Sequence, residues 1–234
     1  MSPPLSLLSS LRLGTFNVGL GFSRKLSSIL SRSADLSLDI VALQEIGDPA
    51  LHSNKLFQYS LVYSGGPSQH DAGVGLLISH DLAPLCRTYR RSASGRLVGV
   101  VLELERGQQL LVVSAYMPSG LDHRSLNDDS TQKAHALYAE MLGWTAGMHQ
   151  VIVLGDLNET LTPHDRWPAP APRRAASARP SPIQCLVREG FSDVYRLLYP
   201  DSEHQPGFTH AIDSVARRVR SRIDYIWTQG CSAA

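Results

Sequence analysis

Seven short runs dominated by Val, Ile and Leu, each bounded by turn residues, recur along the chain. They are LRLGTFNV (11–18), LDIVALQE (38–45), VGLLIS (74–79), RLVGVVLEL (96–104), QLLVVSAYMP (109–118), VIVLGDLN (151–158) and RIDYIW (222–227). Side chains of this kind suit a pleated, buried surface, so seven strand candidates demand a large sheet or a pair of sheets. A chain of 234 residues with 43% hydrophobic content can bury one full core, and one domain is expected. RLVGVVLEL and QLLVVSAYMP flank the segment ERGQ, which predicts an antiparallel hairpin of undetermined turn type.

Helical periodicity occurs in two places. In DSTQKAHALYAEMLGWTAG the apolar positions Ala134, Leu137, Tyr138, Met141 and Leu142 repeat at helical spacing, with Asp128 or Asp129 available as a cap. In FSRKLSSILSRS (22–33) the residues Leu26, Ile29 and Leu30 form an inward stripe. Residues 163–182, PHDRWPAPAPRRAASARPSP, are so rich in proline that no regular element is expected there. This is read as a long surface loop, either an inert insertion or a substrate-facing arm carrying Arg166, Arg173, Arg174 and Arg179.

The net charge of +1 and the charged fraction of 18% give no global signature of a nucleic-acid coat or acidic tail. Cys86, Cys185 and Cys231 are far apart and form no CxxC pair, which argues against a disulfide framework or zinc site and fits a reducing compartment. The first residues, MSPPLSLLSSLRLG, lack a basic leader region, and no run of apolar residues is long enough to span a bilayer. An intracellular protein without a membrane anchor is expected.

The chemistry sits where the apolar runs stop. Asp156 and Asn158 are two apart, so they project to the same side from the end of a strand that is otherwise core. TFNV ends near Asn17, ALQE on Glu45, SAYMP near Tyr116, and SRIDYIW contains Asp224. Singly these are ordinary turn, surface or buried-hydroxyl residues. Their recurrence at five strand ends implies a shared polar pocket. Glu45 with a second carboxylate suits a hard divalent cation such as Mg²⁺ or Mn²⁺, which keeps water and substrate phosphate in its other positions. No His or Cys cluster has zinc or iron spacing, and no GxxxxGK[ST], GxGxxG or GxSxG motif is present. Metal-assisted attack of water on a phosphate ester remains.

At these residues the sequence resembles the endonuclease/exonuclease/phosphatase superfamily, through TFNV, LQE, AYMP, GDLN, GFTH and SRIDYIW in that order, over residues 11–230. The resemblance implies an α/β fold, a four-layer αββα sandwich of two mixed sheets with the site at one end. Within the superfamily the chain is most similar to the apurinic-type endonuclease domain of LINE-type (non-LTR) retrotransposons, through GDLNETLTPHDR, FSDVYRLLYP and GFTH. By resemblance, Asn17 and Glu45 are metal-site residues, Tyr116 contacts phosphate, Asp156 activates water and Asn158 orients its partner. Thr209 matches a loop threonine near the substrate, and Asp224 the aspartate that holds a catalytic histidine. Arg222 and Arg220, in the basic run RRVRSR, are placed beside the phosphodiester.

The chain departs from the family pattern at Gly19 and Ser119, where several apurinic endonucleases carry Asp and Asn. The family's closing Ser-Asp-His does not occur after Asp224, so a missing last strand and a catalytic loss of about 10² are expected. The resulting expectation is an N-terminal extension (1–10) and a domain at 11–234 that nicks DNA with Mg²⁺, impaired by truncation. DNA is the expected partner, with a reverse transcriptase fused downstream and no obligate protein partner, and the location is nuclear during action on chromosomal DNA. The alternatives are a superfamily phosphatase or phosphodiesterase acting on lipid, inositol phosphate or RNA, and a degenerate nucleic-acid-binding module.

Overall fold

The computed structural model describes residues 11–19, 21–47, 56–65, 73–119, 129–168, 181–200, 207–214 and 217–231. The N-terminal extension, Asp128 and most of the Pro/Arg-rich loop, with Arg173, Arg174 and Arg179, lie outside these. In chain order the elements begin with β1 (Leu13–Asn17), α1 (Phe22–Asp35), β2 (Ile40–Gln44), β3 (Tyr59–Ser64), β4 (Val74–Ser79) and β5 (Cys86–Arg91). Next come β6 (Leu97–Glu103), β7 (Gln109–Tyr116), α2 (Asp129–Thr145), β8 (Gln150–Asp156), β9 (Arg166–Trp167) and α3 (Gln184–Arg188). The last are β10 (Ser192–Asp193), α4 (Val194–Leu198), β11 (His210–Ser214), β12 (Arg217–Ser221) and β13 (Asp224–Gln229).

All seven predicted runs are strands. They lie in two mixed sheets, one ordered β1-β2-β4-β3 and the other β10-β13-β8-β7-β6-β5. β1 pairs with β2 and β7 with β8 in parallel, and the remaining pairs are antiparallel. The predicted hairpin is present, with β6 opposite β7 from Leu97↔Ala115 to Glu103↔Gln109.

Strand alternation distributes the apolar side chains into three layers. Ile40, Ala42, Leu76 and Ile78 of the first sheet meet Val98, Val100, Val112, Ile152 and Leu154 of the second, which makes the inter-sheet core. The opposite face of the first sheet, through Val41, Leu43 and Leu77, is covered by Phe22, Leu26, Ile29 and Leu30 of α1. The opposite face of the second, through Leu111, Val113, Val153 and Trp227, is covered by Leu137, Tyr138 and Met141 of α2. This is the αββα sandwich that the family resemblance implies.

Gly155 shows how tightly the central strands approach. Its φ is 150°, and a Cβ added there would collide with the Ala115 carbonyl oxygen of the parallel neighbour β7.

Within the two main sheets, β3, β5 and the two-residue β10 gave no clear apolar run. β5 reads CRTYRR, is largely exposed, and lies at the edge of its sheet, where backbone pairing on one side suffices. Residues 163–168 correct the expectation of a featureless loop. A 3₁₀ turn at Pro163–Asp165 is closed by a capping box between Thr162 and Asp165, and Arg166–Trp167 then pairs with β12 to build a third sheet, β11-β12-β9. Proline is compatible with the first helical position, so Pro163 starts this turn.

Candidate active site

The alternation that fills the inter-sheet core also places the polar groups. On β7 the row Leu110, Val112, Ser114 continues to Tyr116, and on β8 the row Ile152, Leu154 continues to Asp156. On β13 Ile226 is followed in the same row by Asp224, and on β1 Leu13 and Thr15 lead to Asn17. The register brings these rows level: Tyr116 stands opposite Asp156, and Asp156 opposite Asp224. Thus the site is the rim of the inter-sheet core, where the next inward positions have turned polar.

Glu45 belongs to this rim by a different route. Its neighbour Gln44 already occupies the inward row of β2, so strict alternation would send Glu45 toward α1. Instead Glu45 adopts φ 56°, a left-handed conformation uncommon for a residue with a Cβ, and its carboxylate turns to the site. Asn17 Nδ2 donates to Glu45 Oε1 at 2.9 Å and to Asp156 Oδ2 at 2.9 Å, while the Tyr116 hydroxyl donates to the same Glu45 oxygen at 2.8 Å. Four residues from four strands or strand ends are thereby joined in one network.

Asn158 also has a positive φ, 52°. Its backbone N–H donates to Asp156 Oδ1 at 2.9 Å and its side-chain Nδ2 to the Met117 carbonyl at 2.9 Å, so both ends of the residue fix the Asp156 loop against β7. Below the rim, Gln44 is fully buried; Thr15 donates to its Oε1 and its Nε2 donates to Ser114 Oγ, each at 3.3 Å. This polar floor was missed by sequence reasoning. Its only signal was a polar residue at an inward strand position, which reads equally as a strand end.

Burial and charge set the acidity of the rim. Burial first, and then the neighbouring Asp224, push the Asp156 carboxyl up to about 7, against the hydrogen bonds from Asn17 and Asn158. Asp224 is raised by burial, with the Thr209 hydroxyl and the His210 imidazole opposing that rise. Burial together with the hydrogen bond to Glu45 pushes the Tyr116 phenol well above its usual range, so it stays protonated and donates a hydrogen bond at neutral pH. Arg96 lies over the Tyr116 ring, 4.9 Å from its centroid, a cation that sequence reading did not single out.

Of the two expected metal residues, the structure turns Asn17 the other way. Its amide nitrogen faces both carboxylates and its Oδ1 accepts from Gly19 N–H at 2.8 Å. Two carboxylates need donors, so this orientation makes Asn17 a bridge that positions them. Among the described residues no group of three or more His, Cys, Asp or Glu side chains is arranged to hold a metal ion. Mg²⁺ requires only one or two carboxylates and retains water for the rest. Glu45, a hard oxygen donor beside Asp156 and linked to it through Asn17, fits such an ion.

Thr209 lies beside Asp224: its hydroxyl accepts from the backbone N–H of Ile223 and of Asp224, each at 3.2 Å. Arg220 is exposed on β12. Arg222 is a correction. It is 1% exposed, and its guanidinium is ion-paired with Asp165 at 2.9 Å and with Asp193 at 2.6 Å, between the rings of Tyr225 and Tyr195. A cation so enclosed holds the chain together and cannot reach a phosphate.

Two stacked mixed sheets thus carry, at one end, a rim lined by acids, an amide and a phenol. Residues 14–234 match the endonuclease/exonuclease/phosphatase family, and the chain belongs to it. Solved structures of the same fold include a 3′ phosphatase, NExo, from Neisseria bound to a product DNA hairpin, at 17% identity and TM-score 0.70, covering 94% of this chain and 86% of that one. An AP endonuclease from Archaeoglobus fulgidus matches at 16% identity and TM-score 0.67, with 94% and 86% covered. The catalytic domain of Xenopus laevis APE2 matches at 19% identity and TM-score 0.67, with 92% and 81% covered. Comparison with curated proteins yields no match.

Proposed function

We propose that this chain hydrolyses phosphodiester bonds of DNA with Mg²⁺, as a nicking endonuclease of retroelement type. The observation that carries the reading is the network in which Asn17 bridges Glu45 and Asp156 while Tyr116 donates to Glu45. A cation held at Glu45 would neutralise charge developing on the phosphate. Asp156, with a carboxyl near neutral, is suited to take a proton from the attacking water, a contribution of about 10² to 10⁴ in rate. Tyr116, protonated, donates to a non-bridging phosphate oxygen. Asn158 and Asn17 keep the Asp156 carboxyl in place.

The retroelement assignment is supported by the order GDLNETLTPHDR, FSDVYRLLYP and GFTH. DNA as substrate is supported by two of the structural neighbours, a 3′ phosphatase bound to a DNA hairpin and an AP endonuclease, and by the exposed basic strand carrying Arg218 and Arg220. The test is nicking of supercoiled plasmid with Mg²⁺, by this chain at high enzyme excess. Nicking that EDTA suppresses reversibly and Asp156→Ala abolishes is the expected result. Release of phosphate from inositides with no nicking would replace DNA by another phosphate ester, and DNA binding without hydrolysis would leave a binding module.

A further inference from the structure

We propose that the outer face of the β11-β12-β9 sheet is a stacking platform, centred on Trp167, for an unpaired base of the nucleic-acid strand being cut. This rests on the DNA-hydrolysis reading and deepens it by naming the form of substrate that the site takes.

Residues directly opposite each other in an antiparallel pair share a face. Trp167 stands opposite Arg220, and Arg220 opposite Ala211; in the next row of that face Arg218 stands opposite Asp213. All five are exposed, Trp167 to 53%. On the other face Val219 and Ser221 of β12 are buried, while Ile212 and His210 of β11 beside them stay exposed. An indole at a strand end with no core to fill is therefore set beside two guanidiniums and one carboxylate, a face of net positive charge.

That combination fits one partner chemistry. A nucleic-acid strand presents phosphates to the arginines and a base to the indole, and base–aromatic stacking tolerates any sequence. In an intact duplex both faces of a base are covered by its neighbours, so the indole gains contact only from a base that is unpaired or turned out. The acidic rim of Glu45, Asp156 and Asp224 repels a polyanion, and cations beside it supply the attraction that the rim lacks.

The platform is also bolted to the rim. Thr209 N–H donates to the Ser221 carbonyl at 3.0 Å, and the Thr209 hydroxyl accepts from the Asp224 N–H. On the other flank Arg222 N–H donates to the Asp165 carbonyl at 2.8 Å, directly before β9. Asp224 lies four positions after Arg220, at most roughly 14 Å of extended chain. A base on Trp167 thus belongs to a nucleotide close to the phosphate at Asp156.

The experiment measures binding in EDTA, so that no turnover intervenes, of the full chain to a labelled oligothymidylate and to a duplex of equal length. Trp167→Ala should weaken single-strand binding by roughly tenfold to a hundredfold and leave duplex binding unchanged, with Trp167→Phe restoring most of the loss. Tryptophan emission should be quenched by the single strand in the native chain and not in Trp167→Phe, which also serves if Trp167→Ala fails to fold. Equal single-strand affinity for Trp167→Ala and the native chain overturns the platform, as does an equal loss on both probes, or quenching that persists in Trp167→Phe. Emission that responds to protein concentration and not to oligonucleotide overturns it too, making the face a protein contact. Plasmid nicking with unchanged binding in the Trp167 variants removes only the platform; Trp167-dependent binding with no Mg²⁺-dependent hydrolysis removes only the catalytic reading.

Discussion

Asp156 and Asp224 occupy opposed positions on the antiparallel strands β8 and β13, two acids at one paired site at the end of the inter-sheet core. Opposed like charges on neighbouring strands destabilise a sheet. The arrangement holds because Asn17 Nδ2 and the Asn158 backbone N–H donate to Asp156, and because burial favours the protonated carboxyl of Asp156.

The first expectation concerns pH and stability without metal. The folded-state value of Asp156 lies above its ordinary one, so its favourable contribution is complete below pH 3.8 and is lost as pH rises to about 7. That interval caps the penalty at roughly 4 kcal/mol. Asp156→Asn removes the charge but forfeits one hydrogen bond, about 1 kcal/mol. In EDTA at pH 8 the Asn variant should be more stable than the native chain by roughly 1 to 3 kcal/mol. At pH 4 the difference should vanish or reverse. Urea denaturation at the two pH values measures this, and a variant less stable at both would contradict it.

A second concerns Tyr116. Tyr116→Phe removes the phenol that donates to Glu45 and keeps the ring beneath Arg96. Nicking should slow by about 10- to 1000-fold, in kcat more than in KM. Thermal stability should hardly move, because one half-buried hydroxyl bond contributes only about 1 kcal/mol.

Arg222 yields a third. Truncating it to Ala leaves Asp165 and Asp193, both buried, without their shared cation. A loss of about 3 to 5 kcal/mol is expected from a broken buried pair, read as a shift in the denaturation midpoint. The fraction that remains folded should bind DNA with native affinity and native salt slope. A reduced salt slope with unaltered stability would return Arg222 to phosphate binding.

Gly155 supplies the fourth. Gly155→Ala drives a Cβ into the Ala115 carbonyl, a backbone atom that cannot yield without disturbing the β7–β8 ladder. Destabilisation of roughly 3 kcal/mol or more is expected, from overpacking and backbone strain together. Retention of native stability would mean that the two strands can separate at this point.

The central strands were legible because each must bury both faces between another sheet and a helix, which leaves runs such as VIVLG and QLLVV with almost no polar residue. β3, β5, β11 and β12 were not. Edge and satellite strands meet fewer apolar neighbours, so their composition is free to be polar and their positions are set by backbone pairing. The helices α1 and α2 were found for the same reason as the core strands, since each carries one periodic stripe against a sheet.

At the site, the amino-acid order determined which groups stand at strand ends, because alternation and the length of each apolar run are local properties. It determined Asp156, Tyr116, Asn17 and Asp224 as candidates in this way. Only the tertiary structure decided what each could touch. Glu45 reaches the cluster through a left-handed backbone, Asn17 turns its nitrogen to two carboxylates, and Arg222 is enclosed by Asp165 and Asp193. The last pairs are 57 and 29 residues apart in sequence, and such partners meet only after the sheets stack. A charge shows its identity in the sequence, but its role depends on the burial and partners that packing supplies.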